Sequence, residues 1–486
     1  MEKISVKEIL EATKGRLIQG KENTCFNSIS TDTRTLPKGS HSEKKGNLFI
    51  ALKGKNFDGH RFIPEAIKKG AKGIVSQGFS LAKKYQSIPT DDVLIVIEVK
   101  DTLSALQDIA NSYRRRFTLP LIAITGSNGK TTTKEMLWNI LSRKALTLKN
   151  KGNYNNEIGV PLTLFELTRF YKFAVLELGT NAPGEIKKLT EIAQPTVGVI
   201  TNICLTHTEG LLDIEGVARE KLSLLAGLGN RGTTILNIDD KIIRESLHLI
   251  KKQGLKKITC GIVNRGNVYA TEINDFRERG MKFRVNLSGN KSASQNITIH
   301  IPLIGMHNVY NALVAAATAK LFDVPPKTIK NGLESIKTLP MRMEITKLKE
   351  CTIINDAYNA NPHSVEEAIS IIEKWNAEKV LASGRKILIL GNMLELGKWS
   401  VKAHRKLAGI AMKRGIDILV TMGKLAAITA GEFNKIGGTA FVYDDREKLV
   451  EGILKQMHRG DLILIKGSRA MKMEEIASGI IRRLGG

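Results

Sequence analysis

Short apolar runs separated by longer amphipathic segments characterise the chain from residue 119 onward. Residues 121–124, 173–178 and 197–202 are apolar, and each run leads into a polar loop and then a segment with helical spacing, such as residues 134–141. Runs of this length predict buried strands, and their alternation with helices is typical of a parallel sheet covered by helices. Residues 257–303 instead alternate between apolar and polar positions, which predicts an antiparallel insert or edge.

A second series of apolar runs follows residue 339. Strands are predicted at residues 352–355, 386–390, 416–420 and 462–465, and helices at residues 365–374, 401–413 and 446–457. This order predicts a compact, doubly wound, Rossmann-like domain. Before residue 115 the pattern is mixed, with a strand predicted at residues 46–52 and a short helix at residues 62–69.

The chain has 486 residues, which is too long for one ordinary domain. We therefore predict an α/β protein of three domains. These are a mixed α/β domain at residues 1–114, a central domain with a parallel sheet and an antiparallel portion at residues 115–338, and a C-terminal Rossmann-like domain at residues 339–486. The basic triplet at residues 114–116, shortly before Pro120, indicates a hinge or domain edge.

Membrane and disulfide-rich classes are not favoured. Apolar stretches such as residues 312–319 fall well short of the roughly 18 to 20 residues that span a bilayer. Residues 1–8 mix acids and bases and contain no apolar core of a signal peptide. The cysteines lie far apart, with no Cys-x-x-Cys pair. We expect a cytoplasmic protein with reduced thiols and no membrane insertion.

The net charge of the chain is +26, because 74 Lys and Arg residues oppose 48 Asp and Glu residues. Such a charge favours polyanionic partners, so a nucleic-acid-binding ATPase is one alternative. However, the basic residues are spread along the whole chain, aromatic residues make up only 5%, and no nucleic-acid-reading motif accompanies them. Solvated lysines and acidic small-molecule substrates account for the charge equally well, and we expect no nucleic-acid partner.

A glycine-rich loop follows the predicted strand at residues 121–124 and opens a helix. In this context backbone N–H groups and the positive end of the helix hold phosphates. Lys130 would neutralise the β- and γ-phosphates of ATP, and the Thr131 hydroxyl would reach Mg²⁺. Ile124 stands where the usual Gly-x-x-x-x-Gly-Lys-Thr pattern has glycine, and a tight turn with a solvated lysine is the alternative. The predicted nucleotide-binding residues of this loop are Thr125, Gly126, Ser127, Asn128, Gly129, Lys130, Thr131 and Thr132.

Three further candidates lie at or beyond predicted strand ends, where ligands gather in open α/β sheets. Glu177 offers a hard oxygen ligand for Mg²⁺, and an ion pair with a lysine is its alternative role. His207 is a softer ligand, and a satisfied loop histidine is equally compatible with its position. Lys221 lies in a helical stretch and by itself indicates a solvated surface lysine.

Together these segments resemble the Mur ligase family over essentially the whole chain. Residues 125–134, 152–161, 177–181 and 207–210 match its central ATPase domain in order, and residues 305–312 resemble its adenine-side element. The resemblance implies that Lys130, Glu177, His207 and Lys221 form the catalytic group. It implies that Asn308 contacts the base, although a helix N-terminus capped by Asn308 is the alternative and both could hold.

The resemblance also implies how ATP and Mg²⁺ are held. Thr131 and Glu177 would bind one Mg²⁺, and His207 would lie near the other. Lys221 would react with CO₂ to form a carbamate that helps to hold the second ion. Arg342 and Asp356 match positions that contact the nucleotide once the C-terminal domain closes.

Residues 356–362, 391–397 and 466–469 resemble the branch of the family that adds D-alanyl-D-alanine to UDP-N-acetylmuramoyl-tripeptide. Tyr358, Asn359 and Asn361 are the implied dipeptide residues, and an Asn- and Pro-rich turn is their alternative. Ser30 and Arg34 are the implied ligands of the UDP substrate, and a solvated turn would look much the same. Residues 38–45 form an insertion relative to the usual pattern. A monomer is expected.

The implied reaction forms an acyl phosphate from the tripeptide carboxylate and ATP, after which the dipeptide amine displaces phosphate. Phosphoryl transfer of this kind requires mainly positioning and charge neutralisation. Two alternatives remain open from the sequence. One is the sister ligase that adds a free diamino acid and shares the ATP site, and the other is the nucleic-acid-binding ATPase.

Overall fold

A computed structural model describes residues 1–36, 46–54, 57–78, 94–229, 232–248, 254–287, 296–375 and 384–484. The predicted insertion at residues 38–45 therefore lies outside the described residues. Within these ranges, no helix has the length and apolar character needed to cross a membrane.

The N-terminal domain is built on a mixed sheet. In the described residues this sheet has the order β2-β7-β6-β5-β4, with β2 antiparallel to β7 and the other neighbours parallel. β1 and β3 form a separate antiparallel pair. The strands are β1 Ile4–Ser5, β2 Arg16–Gln19, β3 Cys25–Phe26, β4 Ser28–Ser30, β5 Asn47–Ile50, β6 Ala71–Gln77 and β7 Ile95–Val99. The helices are α1 Val6–Thr13, α2 Ile63–Lys68 and α3 Thr102–Arg114. The strand and helix predicted in this region are both present, with slightly shorter bounds.

The basic triplet after α3 does not form a free hinge. Arg114 is buried, and its guanidinium donates hydrogen bonds to the carbonyl oxygens of Ala193 at 3.0 Å and Leu119 at 3.2 Å. These contacts fix the end of α3 to the domain that follows.

The central domain carries a sheet whose described strands have the order β16-β15-β14-β13-β12-β11-β8-β10-β9. The strands are β8 Leu121–Thr125, β9 Thr147–Lys149, β10 Phe173–Glu177, β11 Val197–Ile200, β12 Thr233–Asn237, β13 Lys256–Gly261, β14 Val268–Asp275, β15 Met281–Asn286 and β16 Asn296–Ile301. The helices are α4 Lys130–Leu141, α5 Gly159–Leu164, α6 Glu185–Ala193, α7 Thr208–Leu211, α8 Ile214–Ala226, α9 Lys241–Glu245, α10 Met306–Lys320 and α11 Pro326–Glu334.

The antiparallel portion predicted for residues 257–303 is smaller than expected. β14, β15 and β16 pair antiparallel, but β13 pairs parallel with both β12 and β14. The prediction was wrong for β13 because the helical connection after β12 returns the chain to the same end of the sheet, as parallel pairing requires.

The C-terminal domain has a sheet of order β17-β18-β22-β19-β20-β21 in the described residues, parallel except for β17 against β18. The strands are β17 Glu344–Lys347, β18 Cys351–Asp356, β19 Lys386–Gly391, β20 Ile418–Met422, β21 Thr439–Tyr443 and β22 Asp461–Lys466. The helices are α12 Pro362–Glu373, α13 Ser400–Lys413, α14 Lys424–Lys435, α15 Arg446–Gln456 and α16 Glu474–Leu484. The predicted α/β class with three sheet-based domains is confirmed.

Candidate functional site

A cavity of about 580 Å³ is lined by residues of both the central and the C-terminal domain. Its walls come from the loops after β8, β10 and β11 in the central domain and after β18, β19 and β22 in the C-terminal domain. Strands in a parallel sheet all point the same way, so their loops collect at one edge. The cavity therefore joins the predicted nucleotide loop to the predicted dipeptide element.

The nucleotide loop has the backbone shape that phosphate binding requires. Gly126 and Gly129 have φ values of +150° and +79°, a region that glycine adopts without strain. Helix α4 begins at Lys130 with Gly129 as its N-cap, and no side chain caps its first N–H groups. These groups are available to an anion. Ile124, which replaces the usual first glycine, is fully buried within β8 and is not part of the turn.

The loop is fixed by contacts to the segment after the neighbouring strand β11. The Ser127 hydroxyl donates to the Cys204 carbonyl at 2.9 Å, and the Thr201 hydroxyl donates to the Asn128 carbonyl at 2.6 Å. A β-carbon at Gly126 would lie 1.9 Å from Thr201 Oγ1, so only glycine fits there. The cradle is thus rigid before any ligand binds.

Lys130 lies over this loop. Its ammonium donates to the carbonyl oxygens of Gly126 at 2.8 Å and Ser127 at 3.2 Å, and burial lowers its pKa. No carboxylate in the part of the chain that the structure describes forms an ion pair with this partly buried ammonium, so an anionic phosphate would be bound strongly there.

Glu177 ends β10 and is almost fully buried. Its Oε2 accepts a hydrogen bond from the Thr131 hydroxyl at 2.8 Å, and its Oε1 accepts one from Asn155 Nδ2 at 2.9 Å. Its hydrogen bonds thus go to a hydroxyl and an amide rather than to a lysine. Asn155 was missed by sequence reasoning, although it lies in the family-like stretch 152–161.

The oxygen atoms of Thr131 and Glu177 fit Mg²⁺, which prefers hard oxygen ligands and keeps several waters. In the described part of the chain, no three His, Cys, Asp or Glu side chains are grouped to hold a metal by themselves. This donor set suits an ion that is bound together with nucleotide phosphates.

Lys221 is 1% exposed on the inner face of α8 and forms no hydrogen bond or ion pair within the described ranges. The interpretation as a solvated surface lysine was wrong, because α8 turns this position toward the sheet. Burial, and to a smaller degree the charge of Lys130, lowers the pKa of Lys221 to about 7. A substantial fraction of this amine is therefore neutral, and so nucleophilic, near neutral pH.

His207 precedes α7 with a φ of +52°, and its side chain lines the cavity. Its Nδ1 lies 2.6 Å from Oε2 of Glu395 in the C-terminal domain. Contact with the His207 imidazole holds the pKa of the Glu395 carboxyl below its usual value. Sequence reasoning missed Glu395, although its place in the loop after β19 is a strand-end position.

Arg342 and Asp356 reach the cavity from the opposite wall. An Arg342 guanidinium nitrogen donates to Thr131 Oγ1 at 3.0 Å, and the guanidinium carbon lies 3.9 Å from the centre of the Tyr358 ring. Asp356 forms an ion pair with the buried Lys466, which also donates to the Asn359 carbonyl at 3.0 Å. The C-terminal domain therefore touches the nucleotide loop directly.

The predicted dipeptide residues Tyr358, Asn359 and Asn361 all line the cavity. Asn361 Nδ2 donates to Asn128 Oδ1 of the nucleotide loop at 2.8 Å, while Asn361 Oδ1 accepts from the backbone N–H of Ser364 at 2.9 Å and caps α12. One amide thus fixes a helix and joins the two walls.

Asn308 also lines the cavity, but it does not cap its helix. Helix α10 begins at Met306 after Gly305, so Asn308 lies in the first turn. Its Nδ2 donates to the Ile304 carbonyl at 2.8 Å, and its Oδ1 accepts from Asn311 Nδ2 at 3.1 Å. The alternative role of Asn308 as N-cap was wrong because the helix starts two residues earlier.

Ser30 and Arg34 do not contribute to the cavity wall. The Ser30 hydroxyl bonds to the carbonyl oxygen of Asp32 at 2.9 Å, and Arg34 forms a bidentate pair with the Asp32 carboxylate at 3.0 and 2.7 Å. Arg34 is 87% exposed, so its guanidinium is free to exchange this local partner for an anion.

Three family models match the chain in succession. The Mur ligase family catalytic domain matches residues 37–114, the Mur ligase middle domain matches residues 124–319, and the Mur ligase glutamate ligase domain matches residues 341–469. The gaps between the matches fall near the predicted domain edges.

Individual proteins are similar over their whole length. The UDP-N-acetylmuramoyl-tripeptide--D-alanyl-D-alanine ligase of Bacillus subtilis is 34% identical, with 99% of each chain covered. A crystal structure of MurF from Acinetobacter baumannii has a TM-score of 0.84 at 29% identity and 99% coverage of each chain. The structure of MurF ligase from Thermotoga maritima in complex with ADP has a TM-score of 0.76 at 23% identity, covering 94% of this chain and 98% of that one.

Proposed function

The chain belongs to the Mur ligase family, and we propose that it uses ATP to join D-alanyl-D-alanine to UDP-N-acetylmuramoyl-tripeptide, forming ADP, phosphate and a peptide bond. The product would be a precursor of peptidoglycan, and the cytoplasm is the proposed location. The observation that carries the proposal is one cavity that joins a phosphate-binding loop to residues 358–361, in a chain similar over its full length to ligases of that name.

Each domain has a proposed role. Residues 1–114 would bind the UDP substrate with Ser30 and Arg34, residues 115–338 would bind ATP, and residues 339–486 would bind the dipeptide with Tyr358, Asn359 and Asn361. The contacts of Asn361 and Arg342 with the nucleotide loop support this division, because they bring the third domain to the reacting phosphate. A monomer holds the whole cavity, since its walls come from one chain.

In the first step, an oxygen of the tripeptide carboxylate would attack the γ-phosphorus of ATP and release ADP. The product is an acyl phosphate. Two like charges must approach each other, so the protein has to supply positive groups and fixed N–H donors. Lys130, Arg342 and the first N–H groups of α4 converge on this part of the cavity, which supports the assignment.

In the second step, the neutral amine of D-alanyl-D-alanine would attack the acyl carbon. A tetrahedral intermediate forms, the C–O bond to phosphate breaks, and the amine loses a proton as the amide forms. Water competes with the amine for the acyl phosphate, and closure of the C-terminal wall excludes it. The closed contacts between residues 361 and 128 support this role.

Thr131 and Glu177 would hold one Mg²⁺, and His207 would lie near a second one. Both ions would neutralise phosphate charge. We propose that the neutral Lys221 amine adds to CO₂ and loses a proton, which gives a carbamate. The burial of Lys221 and its pKa near 7 support this step, because addition requires the unprotonated amine. The carbamate would convert a buried cation into an anionic metal ligand.

A phosphate-release assay tests the proposal. Purified protein with ATP, Mg²⁺ and UDP-N-acetylmuramoyl-tripeptide should release phosphate when D-alanyl-D-alanine is added, and much less with lysine or diaminopimelate. Mass spectrometry should detect the ligated product. A second reaction contains UDP-N-acetylmuramoyl-dipeptide and a free diamino acid. If this reaction releases phosphate faster than the reaction with the tripeptide and D-alanyl-D-alanine, the sister activity is the correct one. Stimulation by DNA or RNA alone would favour the nucleic-acid-binding ATPase.

A further inference from the structure

Two loops from different domains meet beside the cavity. One contains residues 207–212 of the central domain, and the other contains residues 394–399 of the C-terminal domain. The Glu209 N–H donates to the Glu395 carbonyl at 3.0 Å, and the Thr208 hydroxyl donates to the Leu396 carbonyl at 2.9 Å. Trp399 Nε1 donates to the Leu212 carbonyl at 3.0 Å. The two loops are therefore docked in a defined register.

This docking is close as well as specific. A β-carbon on Gly397, which has a φ of +50°, would lie 3.1 Å from the Cα atom of Glu209. A bulkier residue there would push the loops apart. The backbone of one domain thus lies directly against that of the other at the edge of the cavity.

The side chains that meet at this docking site come from strained backbone positions. His207 and Glu395 have φ values of +52° and +62°, in the left-handed region that non-glycine residues rarely adopt. Strain of this kind persists where the surrounding structure imposes it, and it clusters at functional sites. In this case it brings His207 Nδ1 and Glu395 Oε2 to 2.6 Å from each other.

We propose that Glu395 is a positioning residue, whose carboxylate lies against Nδ1 of His207 and keeps the ring proton on that nitrogen, so that Nε2 is left to bind a metal. A metal-binding histidine commonly donates its other ring N–H to a carboxylate, which fixes both the tautomer and the ring orientation. The inference rests on the proposed function in one respect only, the assignment of His207 to the metal and nucleotide site.

The two partners come from different domains, and this has a direct consequence. The imidazole of His207 is oriented only while the loop at residues 394–399 is docked. Seating of the C-terminal domain therefore completes the metal site, and bound metal and nucleotide in turn favour the seated domain, because linkage is reciprocal. ATP would then be activated mainly in molecules whose acceptor domain is already in place.

Binding of Mn²⁺ in the presence of ADP tests this inference without requiring turnover. Mn²⁺ substitutes for Mg²⁺ and is followed by electron paramagnetic resonance on the full-length protein. We expect Glu395→Ala to weaken Mn²⁺ binding about 10-fold, the lower end of the effect of losing such a carboxylate. Glu395→Gln keeps an oxygen acceptor at the same place and should recover most of this loss.

Trp399→Phe is the matched control. It removes the hydrogen bond to Leu212 from the same interface and leaves His207 and Glu395 in place, so Mn²⁺ affinity should fall much less than in Glu395→Ala. His207→Ala should weaken Mn²⁺ binding, and adding Glu395→Ala to it should cause no further loss, because the carboxylate acts only through the imidazole.

Three results would overturn the inference. They are wild-type Mn²⁺ affinity in both Glu395 variants, an equal loss in Trp399→Phe and Glu395→Ala, or additive losses in the double variant. If Glu395→Ala does not fold, Glu395→Leu, which keeps most of the side-chain volume but has no acceptor, takes its place in the comparison with Glu395→Gln. The binding assay needs no acceptor dipeptide, so a failure of the proposed ligation would appear separately, as absence of product from wild-type protein that binds Mn²⁺ and ADP normally.

Discussion

On the central-domain side of the cavity, the nucleotide loop is held by its own domain. On the C-terminal side, the facing groups are held partly by contacts across the interface. Ser127 and Asn128 bond to residues after β11 of the same sheet. Arg342, Asn361 and Glu395 instead contact Thr131, Asn128 and His207 of the other domain. One wall is rigid by construction and the other depends on docking.

This difference separates two tasks. Phosphate binding needs N–H donors that do not move, because preorganised dipoles stabilise developing charge most effectively. Ligation also needs an acceptor that reaches the acyl phosphate and a site that closes to water. A fixed wall suits the first task, and a wall that docks suits the second.

The largest expected effect comes from damage to the fixed wall. Lys130→Ala removes the buried cation over the nucleotide loop, and we expect ligation to fall by about 100- to 1,000-fold or more, the range found when one preorganised donor is lost. Phosphate release and circular dichroism should be measured together. A folded variant with undiminished turnover would contradict the placement of Lys130 at the transferred phosphate.

A smaller effect should follow when the joint between the walls is cut. Asn361→Ala removes the bond to Asn128 and the cap of α12, and it should cost about 1–2 kcal/mol of unfolding free energy. Asn361→Asp keeps the cap but cannot donate to Asn128 Oδ1, so the cost to stability should be smaller. Both variants should raise the KM for the dipeptide by a similar factor. A normal KM in the aspartate variant would show that the joint does not serve the acceptor.

The smallest effect concerns the support of the docking loop. His404 is fully buried, its Nε2 accepts the Met393 N–H at 3.1 Å, and burial lowers its pKa. The ordinary pKa of a histidine is 6.5. When the pH falls below this value, His404 binds a proton in the unfolded chain but not in the folded chain. The free energy of unfolding should therefore fall as the pH decreases from 6.5 toward the folded pKa. The slope is at most about 1.4 kcal/mol per pH unit.

Denaturant titrations at several pH values would measure this slope. His404→Leu should be less stable at pH 7.5, because the Met393 N–H loses its partner, but it should lose less additional stability between pH 6.5 and 5.5 than wild type. Parallel pH profiles for the two proteins would contradict the assignment to His404.

Much of this architecture could be predicted from sequence because it rests on local patterns. The strands at residues 121–124 and 386–390 are short apolar runs with few competing interpretations. The alternation of such runs with helical segments predicts the α/β fold class. The nucleotide loop was predictable despite Ile124, because its glycines and Lys130 lie between a strand and a helix. Spacing along the chain sufficed wherever the partners are neighbours in sequence.

Features that depend on distant partners could not be predicted in the same way. The burial of Lys221 depends on which face of α8 meets the sheet. The residue type and its helical stretch predict a solvated surface lysine instead. Glu395 and His207 are 188 positions apart, and no local pattern signals their contact. The alternative role of Asn308 as N-cap was wrong because Gly305 is the N-cap and the helix begins at Met306.

The close approach of Gly126 to Thr201 means that the turn after β8 packs directly against the end of the neighbouring strand β11. Any loosening of β8 from β11 should therefore weaken nucleotide binding before the domain unfolds. On gradual heating, ADP release should precede the loss of helical circular dichroism.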